Sequence, residues 1–163
     1  MHGMRRKEKE IKDRNEMLRI LNEAKYVTIA MIDKDGPYLA SLTHVYDEQK
    51  GAIYFHCAHE GRKVEILKRD NRVWGQAMKD LGYVEGKCDH LFESTHFKGK
   101  VTFVEKAPEK RHALELMIRK NDSHPEDVIA NQLTDSSMAK VNIGRIDIEY
   151  MSGKRSDKVV VSV

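Results

Sequence analysis

The stretch AIYFHCAHEGRKVEILK, residues 52–68, is the most informative part of the sequence. It opens with aromatic and β-branched side chains after a Lys50-Gly51 turn signal, which predicts a strand over Ala52–Cys57. Over residues 60–69, apolar residues recur at helical spacing among charged ones, which predicts an amphipathic helix. The chain therefore passes from a strand through a short turn into a helix.

Gly61, Arg62 and Lys63 stand where that helix begins. A helix N-terminus has unpaired N–H groups and a partial positive charge, so two adjacent cations there oppose the helix dipole. A bound phosphate would satisfy the cations and the N–H groups together, which makes this junction a candidate anion site. A solvated basic helix end is the alternative explanation of the same residues.

The overall composition is that of an ordinary globular protein. The chain has 163 residues, 40% of them hydrophobic, and no linker-like segment, which predicts a single domain over residues 1–163. The formal net charge of +3 is too small to indicate nucleic-acid binding. Basic residues concentrate in residues 5–14 and 62–72, but acidic residues accompany them, so solvated helix faces or a flexible N-terminal arm explain them.

The cysteines and the N-terminal segment indicate a reducing compartment. The two cysteines are Cys57 and Cys88, and the charged residues 1–12 lack the apolar core of a secretory signal. No apolar run is long enough to cross a bilayer. We therefore expect a cytoplasmic protein with no structural disulfide and no membrane partner.

Two Cys-x-His pairs raise the question of a metal site. Cys57 with His59, and Cys88 with His90, could together supply four zinc ligands. Ligand pairs of structural zinc sites are usually spaced by two or more residues, and these two pairs fall on different predicted elements. We therefore predict no metal site and expect Cys57 to be a small buried hydrophobic residue.

Alternation and turn signals predict a mostly β fold. Six strands are expected, over residues 26–32, 38–46, 52–57, 71–78, 92–104 and 141–150. A turn over residues 151–155 and a seventh, short strand over residues 159–163 follow. Short turns between successive strands favour an antiparallel β-barrel with helices packed outside it, not a parallel sheet.

The remaining segments predict helices and loops. Residues 4–24 form either one helix or an extended arm followed by a shorter helix that Asp13 caps. Another helix is predicted from Pro108 to about Lys120. We expect residues 79–91 to be irregular and residues 121–138 to be a loop with one short helical piece.

Four segments together resemble one protein family. They are MRRKEKEI (residues 4–11), GPYLASLTHVYDEQKGAIYFHCAHEGRK (36–63), FESTHFKGKVTFVE (92–105) and IDIEYMSGK (146–154). In this order they resemble the FMN-binding split-barrel proteins related to pyridoxamine 5'-phosphate oxidase, and among these the nitroimidazole-resistance-type branch. The second segment is the most specific, because it combines a strand pair ending in Phe-His-Cys-Ala with the Gly-Arg-Lys turn.

The resemblance implies a six- to seven-stranded antiparallel split β-barrel that forms a homodimer, with FMN bound at two sites between the subunits. It assigns the FMN phosphate to the Gly-Arg-Lys turn and the isoalloxazine ring to two neighbouring strand ends. The fifth strand of the other subunit is expected to reach the same ring. The implied cofactor-binding residues are Ser41, Leu42, Thr43, His56, Cys57, Ala58, Gly61, Arg62, Lys63, Ser94 and His96.

The implied function is an FMN-dependent oxidoreductase that passes electrons from a nicotinamide or another donor to a small acceptor, such as a nitro-aromatic compound. The flavin carries the redox chemistry, so no catalytic residue is assigned. The tail after Lys154 departs from the groups with which the oxidase holds phosphorylated pyridoxine, so vitamin B6 oxidation is not expected. The alternative is a non-catalytic protein that stores or senses flavin or haem, since some relatives bind haem and eight histidines offer axial ligands.

Several side chains have two explanations from sequence alone. His56 either contacts the flavin or lies beside the sheet as an ordinary hydrogen-bonded histidine. Trp74 and Tyr83 could stack on a ligand, although core packing is the expectation for Trp74. Arg5 and Arg6 either reach the site or belong to a flexible arm.

Overall fold

The computed structural model describes residues 4–157. Its strands are β1 (Glu10–Ile11), β2 (Val27–Asp33), β3 (Gly36–Leu42), β4 (Val45–Asp47), β5 (Ala52–Cys57), β6 (Arg72–Val84), β7 (Asp89–Phe103) and β8 (Asn142–Ser156). Its helices are α1 (Arg14–Glu23), α2 (Arg62–Arg69), α3 (Ala107–Asn121), α4 (Pro125–Gln132) and α5 (Asp135–Ala139), with a 3-10 turn at Lys7–Lys9. None of these helices has the length and apolarity that crossing a bilayer requires.

All eight strands join one antiparallel sheet. Its order is β3-β2-β6-β7-β8-β5-β4, with β1 paired to the far end of β8. The fold is therefore mostly β, as predicted, and residues 4–157 contain eight strands where six or seven were expected. Within this part of the chain the ladder ends at β3 on one side and at β4 on the other, so its hydrogen bonds do not close the sheet into a full barrel.

The sheet curls around one main core. Side chains from both edge strands, Leu42 of β3 and Tyr46 of β4, belong to the same buried cluster. Helices α1 and α2 cover that cluster with Leu21 and Ile66, among others. Two edges that share one core define a barrel that is split rather than closed, which confirms the predicted fold class.

Helix α3 covers a second, smaller core on the other side of β4 and β5. Tyr54, Ala113 and Ile143 are fully buried there, together with Met117. The Tyr54 hydroxyl donates a hydrogen bond of 2.7 Å to Glu109, which also pairs with Arg145 at 2.9 Å. These contacts fix the start of α3 against the sheet.

The N-terminal region follows the second of the two predicted arrangements. Asp13 caps α1 by accepting a 2.9 Å hydrogen bond from the backbone N–H of Asn15, so the helix starts at Arg14. The arm before it supplies the two-residue strand β1. The predicted strand over residues 38–46 is wrong in its middle, because the chain breaks between β3 and β4 at Thr43 and His44.

Three further expectations need correction. Residues 79–91 form a hairpin in which β6 and β7 stay paired out to Val84 and Asp89, with one irregularity in the register between Asp80 and Gly82. Residues 151–155 continue β8 rather than turning, and residues 121–138 contain the two helices α4 and α5. The predicted strand over residues 159–163 lies outside the described residues.

The expected core position of Trp74 is also wrong. On β6, Val73, Gly75 and Ala77 face the core, so Trp74 points outward and is 45% exposed. Its ring meets that of Tyr150 edge-on, with the ring centroids 6.0 Å apart. The outer face of the sheet therefore carries large apolar side chains.

Gly144→Ala tests the packing under the central stretch of sequence. An alanine Cβ at this β8 position would stand 2.2 Å from Cζ of Phe55, its cross-strand partner. Because overpacking a tight core costs about 1–3 kcal/mol, we expect a loss of that size in the free energy of unfolding by urea. Thr102→Ala, at an exposed β7 position, is the control, and Phe55→Leu should recover part of the loss.

Candidate functional site

The N-terminus of α2 is open. Its N-cap, Gly61, has φ of +123°, a conformation that favours glycine, and it offers no side-chain cap. No heavy atom of the described residues lies within 4 Å of where a Cβ would stand at this position. Within residues 4–157, no capping side chain accepts from the first N–H groups of α2, which leaves these donors available to an anion.

Arg62 is already paired in this structure. Its Nε donates a hydrogen bond of 2.6 Å to Asp33, and its guanidinium lies 4.7 Å from the Tyr38 ring centroid. Asp33 also pairs with Arg69 at 3.0 Å. The Arg62 hydrogen bond, with help from the Lys34 N–H and from Arg69, lowers the pKa of Asp33 to about 2, so this carboxylate keeps its charge at neutral pH.

Lys63 differs from Arg62 because none of the ion pairs among residues 4–157 includes it. Its Nζ lies 5.7 Å from the centroid of the Phe55 ring, on the strand before the turn. Burial raises the pKa of the nearby Cys57 thiol, and the positive charge of Lys63 offsets part of that increase. Cys57 is therefore a protonated, half-buried thiol, and Lys63 is the cation that remains available to a ligand.

Two of the predicted ring contacts come together at the end of the sheet. Thr43, after β3, and His56, near the end of β5, both line one cavity of about 350 Å³. Both residues are exposed, whereas the side chain of their neighbour Leu42 is buried in the main core. Leu42 can therefore offer a flavin only its backbone, and Ala58, which follows β5, is exposed.

Ser41 and His96 lie on the outer face of the sheet, in one row across five strands. The row runs through Thr28, Gln76 and His96 to Ser152, and the Ser41 and Thr28 hydroxyl oxygens are 3.0 Å apart. Three strand spacings separate Ser41 from His96, roughly 14 Å. Within one chain, His96 therefore lies well away from Ser41.

The environments of Ser94 and His96 are only partly open. Ser94 is buried, and its hydroxyl donates a 3.4 Å hydrogen bond to the carbonyl oxygen of Lys154. His96 is half-buried, and burial together with the charge of Lys154 lowers its pKa. A neutral imidazole at this place can donate or accept a hydrogen bond.

The two Cys-x-His pairs do not converge. His59 contacts the carbonyl oxygen of Ala139 at 2.9 Å, whereas His90 pairs with Asp80 on the distant β6–β7 hairpin, at 2.8 Å. Between residues 4 and 157, no three His, Cys, Asp or Glu side chains are grouped closely enough to hold a metal ion. Cys57 and Cys88 are both free thiols.

Two parts of this region were not predicted from the sequence. One is the carboxylate partner of Arg62, Asp33, which stands at the end of β2 in an Asp-Lys-Asp-Gly sequence typical of a hairpin turn. The other is the cavity wall that α3 supplies through Leu114, Met117 and Ile118. Their helical spacing predicted burial, but no local signal joins them to His56, nearly sixty residues earlier.

The family model for pyridoxamine 5'-phosphate oxidase matches residues 13–155, nearly the whole described chain. The chain belongs to this family. Its second segment of resemblance, residues 36–63, supplies β3, β5 and the start of α2, the elements that form the region described above. No curated protein matches the sequence.

Solved structures agree with this assignment. A candidate 5-nitroimidazole antibiotic resistance protein from Bacteroides thetaiotaomicron has 28% identity and a TM-score of 0.73, with 91% of this chain and 90% of that chain covered. A flavocytochrome from Azotobacter vinelandii has 12% identity and a TM-score of 0.83, with coverages of 99% and 76%. A FAD-binding protein from Mesorhizobium loti has 18% identity and a TM-score of 0.64, with coverages of 89% and 96%. The last two, at less than 25% identity, share the fold with this chain.

Proposed function

We propose that the protein is an FMN-dependent oxidoreductase that works as a cytoplasmic homodimer. The observation that carries the proposal is the uncapped N-terminus of α2 in a chain of the pyridoxamine 5'-phosphate oxidase family, with Lys63, which forms no ion pair with the described residues, in its first turn. This arrangement suits a phosphate monoester, because a cation and several N–H groups converge on one anion. FMN carries such a group at the end of its ribityl chain.

The residues of this chain have distinct parts in holding FMN. Lys63 and the first N–H groups of α2 would bind the phosphate, and Arg62 would join them by exchanging Asp33 for a phosphate oxygen. The backbone at Cys57 and Ala58 and the side chains of Thr43 and His56 would lie along the ring. When bound, FMN would supply the redox chemistry, taking two electrons from a nicotinamide donor and giving them to a small acceptor.

The homodimer is proposed from the outer face of the sheet. Leu39 and Trp74 are 63% and 45% exposed, and both lie on one cross-strand row that runs through Ala30. Exposed apolar side chains that adjoin one another are typical of protein contacts. A second copy on this face would bring its own His96 and Ser94 towards a ring near Ser41, which one chain alone leaves about three strand spacings away.

The Bacteroides thetaiotaomicron protein suggests the class of acceptor. Its name connects it with 5-nitroimidazole antibiotics, and its alignment with this chain covers most of both proteins at 28% identity. We propose that nitro-aromatic compounds are among the acceptors. Haem is the second candidate ligand, because one protein of the same fold is named a flavocytochrome. His56, which lines the cavity, would then be the candidate axial ligand.

The first test is the absorption spectrum of the protein purified without added cofactor, followed by FMN titration and anaerobic addition of NADH or NADPH. We expect a flavin spectrum, or quenching of FMN fluorescence on titration, and bleaching of bound flavin by a nicotinamide. Bound FMN that no donor reduces would favour a storage or sensing role. A Soret band would make haem the ligand, and a protein that binds neither would contradict the proposal.

A further inference from the structure

We infer that the cavity between α3 and the end of β5 is the acceptor pocket, and that it takes uncharged or cationic aromatic molecules in preference to anionic ones. The inference rests on the proposed function, which it deepens by naming a substrate class. Residues from four separate parts of the chain line this cavity: Thr43, His56, the α3 side chains Leu114, Met117 and Ile118, and Val141 just before β8. Asn121 and Asp122, at the end of α3, complete it.

The size and apolar lining suit a small aromatic ring. A volume of about 350 Å³ falls within the range of ligand pockets, and a cavity of about 150 Å³ lined by aliphatic side chains is enough to bind benzene. Leu114, Met117 and Ile118 give one wall of aliphatic and thioether groups that pack well against flat rings. The cavity therefore has room for a molecule of one or two rings.

The cavity shares a wall with the proposed flavin site. Thr43 and His56 line it and are also the two side chains that we assign to the isoalloxazine ring. A molecule held between α3 and these two residues would lie next to the ring, as electron transfer requires. The cavity and the flavin site would thus be two parts of one active site.

The charge of the lining decides the class of acceptor. Asp122 contributes a carboxylate, and it also accepts a 2.9 Å hydrogen bond from the His124 N–H. Among the described residues, neither lysine nor arginine lines the cavity. A carboxylate or phosphate on the ligand would meet repulsion from Asp122 without a compensating cation, so anionic substrates are disfavoured.

Contacts in the N-terminal half of α3 fix this wall of the cavity against the sheet in the absence of a ligand. His112 contacts the buried Asp47 at 2.7 Å, and Glu109 joins Tyr54 to Arg145. Ala113 and Met117 pack into the smaller core beneath the same helix. A wall fixed at these points forms a pocket of defined shape rather than a flexible groove.

The test uses three probes of similar shape and different charge: nitrobenzene, 4-nitrobenzylamine and 4-nitrobenzoate. Each is titrated into the FMN-loaded protein and into the apoprotein, and the methyl NMR signals of Leu114, Met117 and Ile118 are followed. We expect the first two probes to shift these signals in the FMN-loaded protein with a Kd at least tenfold below that of 4-nitrobenzoate. Asp122→Lys should narrow or reverse that gap, and a lysine at a helix C-terminus should be tolerated.

A pair of variants on α3 tests the place of binding. Leu114→Trp fills the cavity and should weaken binding of nitrobenzene at least tenfold, whereas Arg119→Trp adds the same bulk at an exposed position and should leave it unchanged. If the FMN-loaded protein binds no probe at these methyl groups, or binds all three equally, the inference is wrong even though the flavin site stands. If FMN does not bind but the uncharged probe still shifts these signals, the proposed function and the acceptor role fail, and only the binding of aromatic molecules in this cavity stands.

Discussion

Lys63→Ala is expected to weaken FMN binding roughly 10- to 100-fold. A charge-assisted hydrogen bond contributes about 1.5–3 kcal/mol, and each 1.4 kcal/mol is a factor of about ten in the dissociation constant. Since no carboxylate among the described residues pairs with Lys63, its charge is available to the phosphate at no cost in broken contacts. The measurement is fluorescence titration of the apoprotein with FMN.

The neighbouring cation should matter less. Arg62 must leave Asp33, at 2.6 Å, before it can bind a phosphate, so part of its new interaction replaces an old one. We therefore expect Arg62→Ala to weaken FMN binding by a smaller factor than Lys63→Ala does. This order would be hard to obtain from a generally basic surface, on which the two charges act alike.

Riboflavin and a second lysine provide the controls. Riboflavin lacks the phosphate, so its affinity should be the same for the wild type and for Lys63→Ala. Lys68→Ala removes an exposed cation from the last turn of the same helix and should change FMN affinity less than twofold. A Lys63→Ala protein that binds FMN as tightly as the wild type would remove the phosphate site from this turn.

The sequence predicted the elements whose signals are local. Strand β5 has the predicted bounds, because its side chains are β-prone and a Lys50-Gly51 turn precedes it. The start of α1 follows from Asp13, whose side chain caps the helix as its residue type suggests. The Gly61-Arg62-Lys63 turn was also found from the residues alone, since a glycine and two cations at a helix start are adjacent in the chain.

The errors fall where distant parts of the chain decide the outcome. Gly153 looked like a turn, yet it lies within β8, because Ile11 and Met17 pack so closely on it that a Cβ would come 2.8 Å from Cβ of Ile11. The strand over residues 38–46 breaks at His44, which is buried and contacts the carbonyl oxygen of Leu21 at 2.7 Å. Burial and the charge of Lys120 lower the pKa of His44 to about 4, so it is a neutral structural residue at pH 7.

On β6, the core-facing side is difficult to identify from the sequence, because two of the residues on it are small. Gly75 and Ala77 face inward, and Gly75 leaves the space that Phe97 fills, with Cζ only 2.1 Å from a hypothetical Cβ. The large aromatic side chain of Trp74 favoured a core position in the prediction. The same limit applies to the site, because Asp33 and the α3 wall reach it only through tertiary packing.

Glu93→Ala is expected to destabilise the protein by about 1.5–3 kcal/mol, because it removes charge-assisted contacts to three partly exposed cations that keep Glu16 or Glu23 as another partner. The side chain of Glu93 is 7% exposed and meets three cations: Arg19 of α1 at 2.7 Å, and Lys79 of β6 and Arg155 of β8 at 3.3 Å each. One carboxylate on β7 thus joins α1 to β7 and to its two neighbouring strands, β6 and β8. Urea unfolding of the apoprotein, followed by circular dichroism, measures the change.

Two further variants separate the cluster from a general surface effect. Glu105→Ala removes an exposed carboxylate just after β7 and should cost less than about 0.5 kcal/mol. Lys79→Met in the Glu93→Ala background removes a cation that has already lost its contact with Glu93, so the double variant should be more stable than the sum of the two single losses predicts. Additive losses would mean that solvent already screens these charges from one another.

The pH dependence of folding stability tests whether the ionised Glu93 carboxylate stabilises the fold. Burial alone would raise the pKa of Glu93, but the hydrogen bonds from Arg19 and Lys79 outweigh it, so the pKa lies below the ordinary value of 4.5. A carboxyl group with a lowered folded-state pKa stabilises the fold above about pH 4.5, and this contribution is lost as the pH falls through the folded-state value. The wild type should therefore lose stability more steeply than Glu93→Gln below about pH 4.5. Parallel curves for the two proteins would show that Glu93 is not the carboxylate that holds α1 to the sheet.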